Sequence, residues 1–133
     1  MPRSTLSPRD RELLNARNFC HVSVLAEDGA IQSVVVWCDL DDDDRVVLNS
    51  AEGRAWPANL RRAGRATLTV MNLDNPREFV TLAGRVVEDT TDGADDVINA
   101  LAHKYNGRDY DFQPGQQRVT FRLVPERVAR HGG

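Results

Sequence analysis

The chain has 133 residues, of which 41% are hydrophobic and 28% are charged, and its formal net charge is −3. This length and balance are typical of one domain with a single core, so we expect residues 1–133 to form one domain with flexible ends at 1–5 and 129–133. The acidic balance argues against non-specific binding to nucleic acid, which needs a strongly basic surface. Because the sequence shows neither an apolar run of membrane-spanning length nor a secretory signal pattern, we expect a cytoplasmic protein without membrane contact.

Three helices are predicted, near the start, in the middle and late in the chain. Ser7 is a typical helix N-cap, and Asp10 stands at the third helical position, where its carboxylate can accept a hydrogen bond from the cap backbone. The predicted spans are 7–16, 54–63 and 93–105.

Six strands are predicted from apolar runs that are bounded by turn residues. Their spans are 19–26, 31–40, 45–50, 66–72, 78–88 and 118–124, with Gly84 as a bulge or bend in the fifth. Most of these strands follow one another through short connections. The pattern therefore predicts a mainly β or α+β fold, a six-stranded antiparallel barrel with flanking helices.

Cys20 and Cys38 lie in the first two strands, which a hairpin turn connects. If Asp28 and Gly29 form a two-residue turn, Cys20 lies opposite Trp37 and the Cys38 side chain points to the other face of the sheet. A longer turn would change this parity. We expect two buried free thiols rather than a disulfide.

The third strand leads into the second helix, and this junction has features of an anion-binding site. Asn49 and Ser50 end the strand, and Arg54 stands at the helix start, where backbone N–H groups and the helix dipole favour a negative group. The segment 54–65 contains arginines but no acidic residue. A solvated helix face explains the same pattern, so both interpretations stay open.

Side chains alone form no recognisable catalytic or metal-binding pattern. His21, His103 and His131 are far apart and lack metal-ligand spacing, and the sequence motifs of a serine nucleophile elbow, a phosphate loop and a dinucleotide turn are absent. We assign no catalytic residue and no metal. If the protein is an enzyme, a bound cofactor carries the chemistry.

Several segments, each weak alone, occur together in a definite order. They are the hairpin at 26–30, Val-Val-Val-Trp at 34–37, Asn-Ser at 49–50, Gly-Arg-Ala at 53–55, Asn-Leu-Arg-Arg at 59–62, Asp-Asn-Pro at 74–76, the strand at 79–87, the helix end at 101–107 and the final strand at 118–128. In this order the chain resembles the split β-barrel flavin and deazaflavin proteins related to pyridoxamine 5′-phosphate oxidase, and specifically their F420-dependent branch found in actinobacteria.

The resemblance implies an FMN-binding split-barrel fold and a homodimer with two cofactor sites at the subunit interface. It also implies hydride transfer between reduced coenzyme F420 and a small conjugated substrate. In the family, the loop and helix that correspond to 54–60 hold the cofactor phosphate and tail, and the ring lies against the strand around position 37. The cofactor-binding residues implied in this way are Val36, Trp37, Asn49, Ser50, Arg54, Ala55, Trp56, Asn59, Leu60, Asn75, Pro76 and Arg118.

Trp56 departs from the family pattern, because relatives usually carry a lysine at this position. A charge-assisted contact to phosphate is worth about 1.5 to 3 kcal/mol, which is lost unless Arg61 or Arg62 replaces the charge. The indole either contacts the cofactor or packs under the helix, and both interpretations stay open.

The sequence is also compatible with three alternative functions. An FMN-dependent oxidase or reductase uses the same barrel, although the missing basic residue should weaken a compact FMN phosphate site more than the site of the longer, multiply charged F420 tail. The second alternative is a non-catalytic protein that binds F420 or another ligand. The third is a dimeric scaffold whose cofactor site is filled by Trp56.

The stretch 106–117, with Tyr110 and Phe112, is either a substrate lid or an ordinary connecting loop.

Overall fold

The computed structural model describes residues 5–132, which form three helices and seven strands. The helices are α1 (Pro8–Asn15), α2 (Ala55–Ala63) and α3 (Ala94–Asn106). The strands are β1 (Cys20–Leu25), β2 (Ile31–Val36), β3 (Asp39–Leu40), β4 (Val46–Ala51), β5 (Arg65–Met71), β6 (Phe79–Thr90) and β7 (Arg118–His131).

All seven strands belong to one antiparallel sheet with the order β2-β1-β5-β6-β7-β4-β3. The sheet curls into a half-barrel flanked by helices, so the predicted split-barrel fold is confirmed. One strand more than predicted is present, because the predicted strand 31–40 is divided at Trp37 and Cys38. There the Cys38 N–H donates to the Tyr105 hydroxyl at 3.2 Å instead of to a neighbouring strand.

The core lies on the concave side of the sheet. Leu48, Phe121 and Leu82 are fully buried there because alternate residues of each strand face inward. Gly84 allows β6 to bend over this core, since a Cβ at this position would lie only 3.2 Å from the Leu123 side chain. The register between β6 and β7 shifts at this glycine, so the predicted bulge is confirmed.

Helix α1 begins with the predicted capping box. The Ser7 hydroxyl accepts a hydrogen bond from the Asp10 N–H (3.1 Å), and the Asp10 carboxylate accepts one from the Ser7 N–H (2.8 Å). Arg130 of β7 donates to the same carboxylate at 3.1 and 2.5 Å. Although burial opposes ionisation, these bonds from Arg130 and Ser7 hold the pKa of Asp10 below its usual value. The start of α1 is thereby fixed to the end of β7.

The hairpin between β1 and β2 corrects the predicted register. The Ala26 N–H donates to the Ala30 carbonyl at 2.8 Å, so three residues form the turn, with Gly29 in the left-handed region at φ 88°. Cys20 therefore pairs with Val36 and not with Trp37. The longer turn places both cysteines on the same face, contrary to the prediction, and both are buried free thiols. The adjoining Cys38 thiol, together with burial, raises the pKa of Cys20.

Strand β7 is longer than predicted. It continues past 124 to His131, and residues 129–131, which we expected to be flexible, belong to it. The C-terminal end of β7 is held by two contacts. Arg130 donates to the Asp10 carboxylate, and the His131 ring stacks on the Phe79 ring with 4.5 Å between their centroids. Residues 1–4 and 133 lie outside the described residues.

The helices of residues 5–132 are all too short or too polar to cross a membrane.

Candidate functional site

A cleft of about 380 Å³ lies beside the end of β2, between α3 and the start of β7. It is lined by Phe19, Val35, Val36, Trp37, Asn49, Arg54, Ile98, Leu101, Tyr110 and Arg118. One wall is apolar, and the other carries polar and cationic groups. This arrangement suits a ligand that has a flat apolar part and an anionic part.

The apolar wall is preformed around Trp37. Its ring stacks on that of Tyr105, with centroids 5.3 Å apart and an interplanar angle of 6°. Ile98 and Leu101 of α3 belong to the same cluster. Tyr105 is itself fixed, because its hydroxyl donates to the Asn18 carbonyl at 2.5 Å. Stacking on Tyr105 and packing in this cluster therefore hold the indole in one orientation.

Arg118 is the cationic group of the polar wall, and only 4% of its surface is exposed. Its Nε donates to the Asn49 Oδ1 at 2.9 Å, and its Nη1 donates to the Tyr110 hydroxyl and the Gln116 Oε1, both at 3.2 Å. All three acceptors are neutral, and Arg118 makes no salt bridge with any residue in the range 5–132. Burial lowers the pKa of Arg118 accordingly.

Asn49 orients the guanidinium of Arg118 through a hydrogen bond. It is buried in β4, and its Nδ2 donates to the Ala94 carbonyl at 2.9 Å and to the Thr120 hydroxyl at 3.0 Å. Because both hydrogens of the amide nitrogen are used, the Oδ1 is left to accept from Arg118. Helix α3 and strand β7 thus fix the direction of the arginine through one amide.

Arg54 adds a second positive charge to the cleft. It is the N-cap residue of α2, its side chain makes no capping hydrogen bond, and the first turn of α2 contains no acidic residue. Uncapped N–H groups and the helix dipole add to the positive potential there. After burial, the charge of Arg54 is a further cause of the lowered pKa of Arg118, whereas Tyr110 and the carboxylate of Asp95 act in the opposite direction.

The half-barrel that carries this cleft matches a known protein family. A family model described as pyridoxamine 5′-phosphate oxidase covers residues 6–132. The chain belongs to this family. The family expected from the order of the sequence motifs is therefore confirmed. No curated protein sequence matches the chain.

Solved structures share the fold of this pyridoxamine 5′-phosphate oxidase family member over nearly its whole length. An F420 reductase has 18% identity and a TM-score of 0.80, and the match covers 97% of this chain and 98% of that one. The conserved hypothetical protein Rv2991 from Mycobacterium tuberculosis has 18% identity and a TM-score of 0.76, covering 98% and 89%. A FAD-binding protein from Mesorhizobium loti has 20% identity and a TM-score of 0.67, covering 100% of both chains.

The structure brings part of the predicted cofactor-binding set together in the cleft. These residues are Val36, Trp37, Asn49, Arg54 and Arg118. They meet because the ends of β2 and β4, the start of α2 and the start of β7 converge at one corner of the half-barrel.

Three other predicted residues of this family member face the interior of the half-barrel instead. Ser50 follows Asn49 in β4 and therefore points to the opposite side, where its Oγ has no hydrogen-bond partner within the described chain. Leu60 is fully buried, and Trp56, 6% exposed, packs on Phe121 with ring centroids 6.2 Å apart. Of the two interpretations of Trp56, the structure supports packing under the helix.

Neither Arg61 nor Arg62 places a replacement charge in the cleft. Arg61 donates to Asp89 at 2.6 Å and to Glu52 at 2.9 Å. Arg62 donates to the Asn59 Oδ1 at 2.8 Å. Both arginines are thus engaged on the surface of the half-barrel, away from the residues that line the cleft.

The remaining predicted residues also lie outside the lining of the cleft. Asn59 donates to the Gln32 Oε1 at 2.6 Å, and Ala55 is exposed in the first turn of α2. Asn75 and Pro76 lie in the turn between β5 and β6, where Asn75 forms backbone turn hydrogen bonds. The structure therefore does not bring this turn to the cleft within one chain.

Some cleft residues were not predicted as site residues. Leu101 lies on the apolar face of α3, but its pattern alone does not show which strand the helix covers. Phe19 and Val35 flank the ends of strands, where the sequence gives no sign of the ligand side. Tyr110, considered for a lid, lines the cleft through its contact with Arg118.

Proposed function

We propose that this protein is an F420-dependent oxidoreductase, which transfers a hydride between reduced coenzyme F420 and a small conjugated substrate bound in the cleft. One observation carries the proposal. Arg118 is a nearly buried guanidinium that forms no ion pair with a carboxylate of residues 5–132, and it borders the apolar wall formed by Val36 and Trp37. The fold shared with an F420 reductase supports this choice.

The charges of the cleft fit an anionic, planar cofactor. A buried cation without an opposite charge carries a desolvation cost, and an anionic group on the ligand offsets it through charge-assisted hydrogen bonds. Arg118 is buried and Arg54 is exposed, and together they offer two cations beside the apolar wall. A deazaflavin ring with a charged tail has both a flat apolar part for the apolar wall and negative charges for the two arginines.

The residues of the chain position the reactants and exclude water. When bound, the reduced deazaflavin supplies the hydride. Trp37 presents a rigid flat surface, and Ile98 and Leu101 keep the adjoining space apolar. Proximity and a dry environment are the expected contributions of the protein. Any proton that accompanies the hydride comes from solvent or from an unassigned side chain.

A second copy of the chain is part of this proposal. β2 is an edge strand, and the outer face of its hairpin carries apolar side chains at Leu25, Ile31 and Val35, of which Ile31 is 67% exposed. Val35 also lines the cleft. We therefore propose that two chains pair through this face, which would cover the apolar side chains and enclose the cleft.

The cofactor assignment is tested by titrating the purified protein with F420 and, separately, with FMN. The variant Trp56→Phe leaves Trp37 as the only tryptophan, so quenching of its fluorescence reports on the cleft. We expect micromolar or tighter binding of F420 and weaker binding of FMN. Preference for FMN would assign the protein to the FMN-dependent oxidases or reductases, and binding of neither would contradict the proposal.

The dimer is tested by sedimentation equilibrium of the wild type and of Ile31→Glu. We expect a dimer for the wild type and a shift toward monomer for the variant, because a carboxylate would be buried in the paired face. The variant Leu73→Glu is the control, since Leu73 is similarly exposed (48%) but lies in the turn after β5. A monomeric wild type would contradict this part of the proposal.

A further inference from the structure

The hydrogen bonds of Arg118 point to a second role for the loop 107–117, which joins α3 to β7. The two acceptors at Nη1, the Tyr110 hydroxyl and the Gln116 Oε1, both belong to this loop. The guanidinium also lies 5.0 Å from the centroid of the Tyr110 ring. The loop therefore occupies the nitrogen of Arg118 that an incoming anion would use.

The geometry of a guanidinium decides which contacts an anion must replace. Two-pronged binding of a carboxylate or phosphate uses Nη2 together with either Nε or Nη1. Nε is bound to Asn49, which is buried and held by Ala94 and Thr120. Nη1 is bound only by side chains of an exposed loop. Nη2 donates to no protein atom in the part of the chain that the structure describes.

We propose that Tyr110 and Gln116 act as internal substitutes for the anionic group of the ligand, and that ligand binding displaces them from Arg118. This inference rests on the anionic ligand of the proposed function. The exchange is favourable because an anion forms stronger hydrogen bonds with a guanidinium than a neutral hydroxyl or amide oxygen does. The affinity of the cleft is therefore set partly by how firmly the loop holds Arg118.

The loop is attached to α3 near its middle and has a glycine in the left-handed region on either side of that attachment. Gly107 and Gly115 adopt φ angles of 72° and 76°, which favour glycine, and the backbone between them is mostly exposed. Helix α3 holds the loop in its middle, since Asn99 accepts from the Tyr110 N–H at 2.9 Å and His103 lies 2.6 Å from Asp109. The backbone at 109–110 can thus stay on α3 while the side chains at 110 and 116 leave Arg118.

Three variants test the competition in opposite directions. Tyr110→Phe removes one competing acceptor and keeps the ring, so affinity for an anion should rise about fivefold. Gln116→Glu supplies a permanent carboxylate to Arg118, so affinity should fall about tenfold or more. Gln113→Glu makes the same charge change in the same loop, where the exposed side chain donates to the Asp111 carbonyl, and it should shift affinity by less than about twofold.

The probes are F420 and inorganic pyrophosphate, titrated by calorimetry into the full chain, with hydrogen exchange of residues 107–117 measured before and after binding. The expected order of affinity is Tyr110→Phe, wild type, Gln116→Glu, with faster exchange near 116 in the bound state. If F420 binds but Tyr110→Phe weakens binding, or Gln116→Glu and Gln113→Glu behave alike, the displacement is wrong while the proposed function stands. If only pyrophosphate binds and the expected order holds, the displacement is right and the F420 assignment is wrong. If neither probe binds, both are overturned.

Discussion

Asp10 and Arg118 are the charged side chains that are buried in residues 5–132, and they differ in the charge of their hydrogen-bond partners. Asp10 accepts hydrogen bonds from Arg130 and from the Ser7 backbone, so its charge is compensated within the chain. Arg118 donates only to neutral oxygens within the described part of the chain. The first charge joins two elements of the fold, whereas the second borders an open cleft.

The difference separates a structural charge from a functional one. A buried charge with an internal counter-charge is compensated within the fold, and removing one partner destabilises the folded chain because the other charge then lacks its partner. A buried charge with neutral partners lowers stability relative to an apolar residue, but it gains when a ligand brings the missing charge. Asp10 and Arg118 should therefore respond differently in measurements of stability and of binding.

The largest expected effect comes from placing a new charge where the core is apolar. Trp56→Lys replaces an indole packed on Phe121 by an ammonium group, and we expect the free energy of unfolding to fall by about 3 kcal/mol. Urea denaturation followed by circular dichroism measures the change. The control Trp56→Phe keeps an apolar ring and should lose only about 1 kcal/mol. A lysine variant as stable as the wild type would contradict the buried position of this side chain.

Removing the functional charge should affect binding far more than stability. Arg118→Met deletes the charge-assisted hydrogen bonds to the ligand, so affinity for F420 should fall about 10- to 100-fold. The free energy of unfolding should fall by only about 1 kcal/mol, because removing a buried cation with neutral partners partly offsets the cost of leaving the buried Asn49 Oδ1 without a donor. Arg122→Met, on the same strand but paired with Glu88, is the matched control and should bind F420 like the wild type. Equal affinities for both variants would refute the anion site.

Removing the structural charge should have the reverse profile. Asp10→Asn keeps the shape of the capping residue but loses the ion pair with Arg130, whose side chain is about half exposed. We therefore expect a loss of about 1–2 kcal/mol in the free energy of unfolding and no change in F420 affinity. Urea denaturation and the fluorescence titration measure the two quantities. A drop in affinity would show that the two charges are coupled.

The pH dependence of stability sharpens the same contrast. The folded-state pKa of Asp10 is lower than its unfolded value, so its contribution is present above the unfolded pKa and is lost as pH falls through the folded one. The stability difference between wild type and Asp10→Asn should be constant above about pH 5 and shrink below about pH 4. Urea midpoints at a series of pH values check this. A difference that persists at the lowest pH would mean that the charge of Asp10 is not its cause.

Local signals in the sequence were sufficient for most of the fold. The Ser7 and Asp10 pattern predicted α1, and Gly84 predicted the bulge in β6, because caps and bulges depend on few residues. The register of the first hairpin could not be predicted, since two- and three-residue turns both accommodate Gly29 and differ by one position. Strand β7 was predicted too short, because its last contacts are with residues distant in sequence such as Asp10 and Phe79.

The site was harder to predict for the same reason. Arg54 and Asn49 were identified from a strand that runs into a helix, which is a local pattern. Nothing local shows that Arg118 is buried without a carboxylate, because this depends on which side chains the fold brings around it. Trp56 was ambiguous because a residue at the start of a helix can face either the cleft or the core.

The place of β7 in the sheet has a consequence for synthesis on the ribosome. β7 is made last of the seven described strands, yet it joins β6 to β4 and so connects the two parts of the sheet. Until it emerges, the nascent chain leaves one edge of β4 and one edge of β6 unpaired, a state that is prone to aggregate. The hydrogen bond between Asn49 of β4 and Arg118 of β7 cannot form before β7 has been synthesised. The cleft can therefore form only after β7 has been translated. A cofactor that binds in the cleft cannot assist the folding steps that take place before β7 is added.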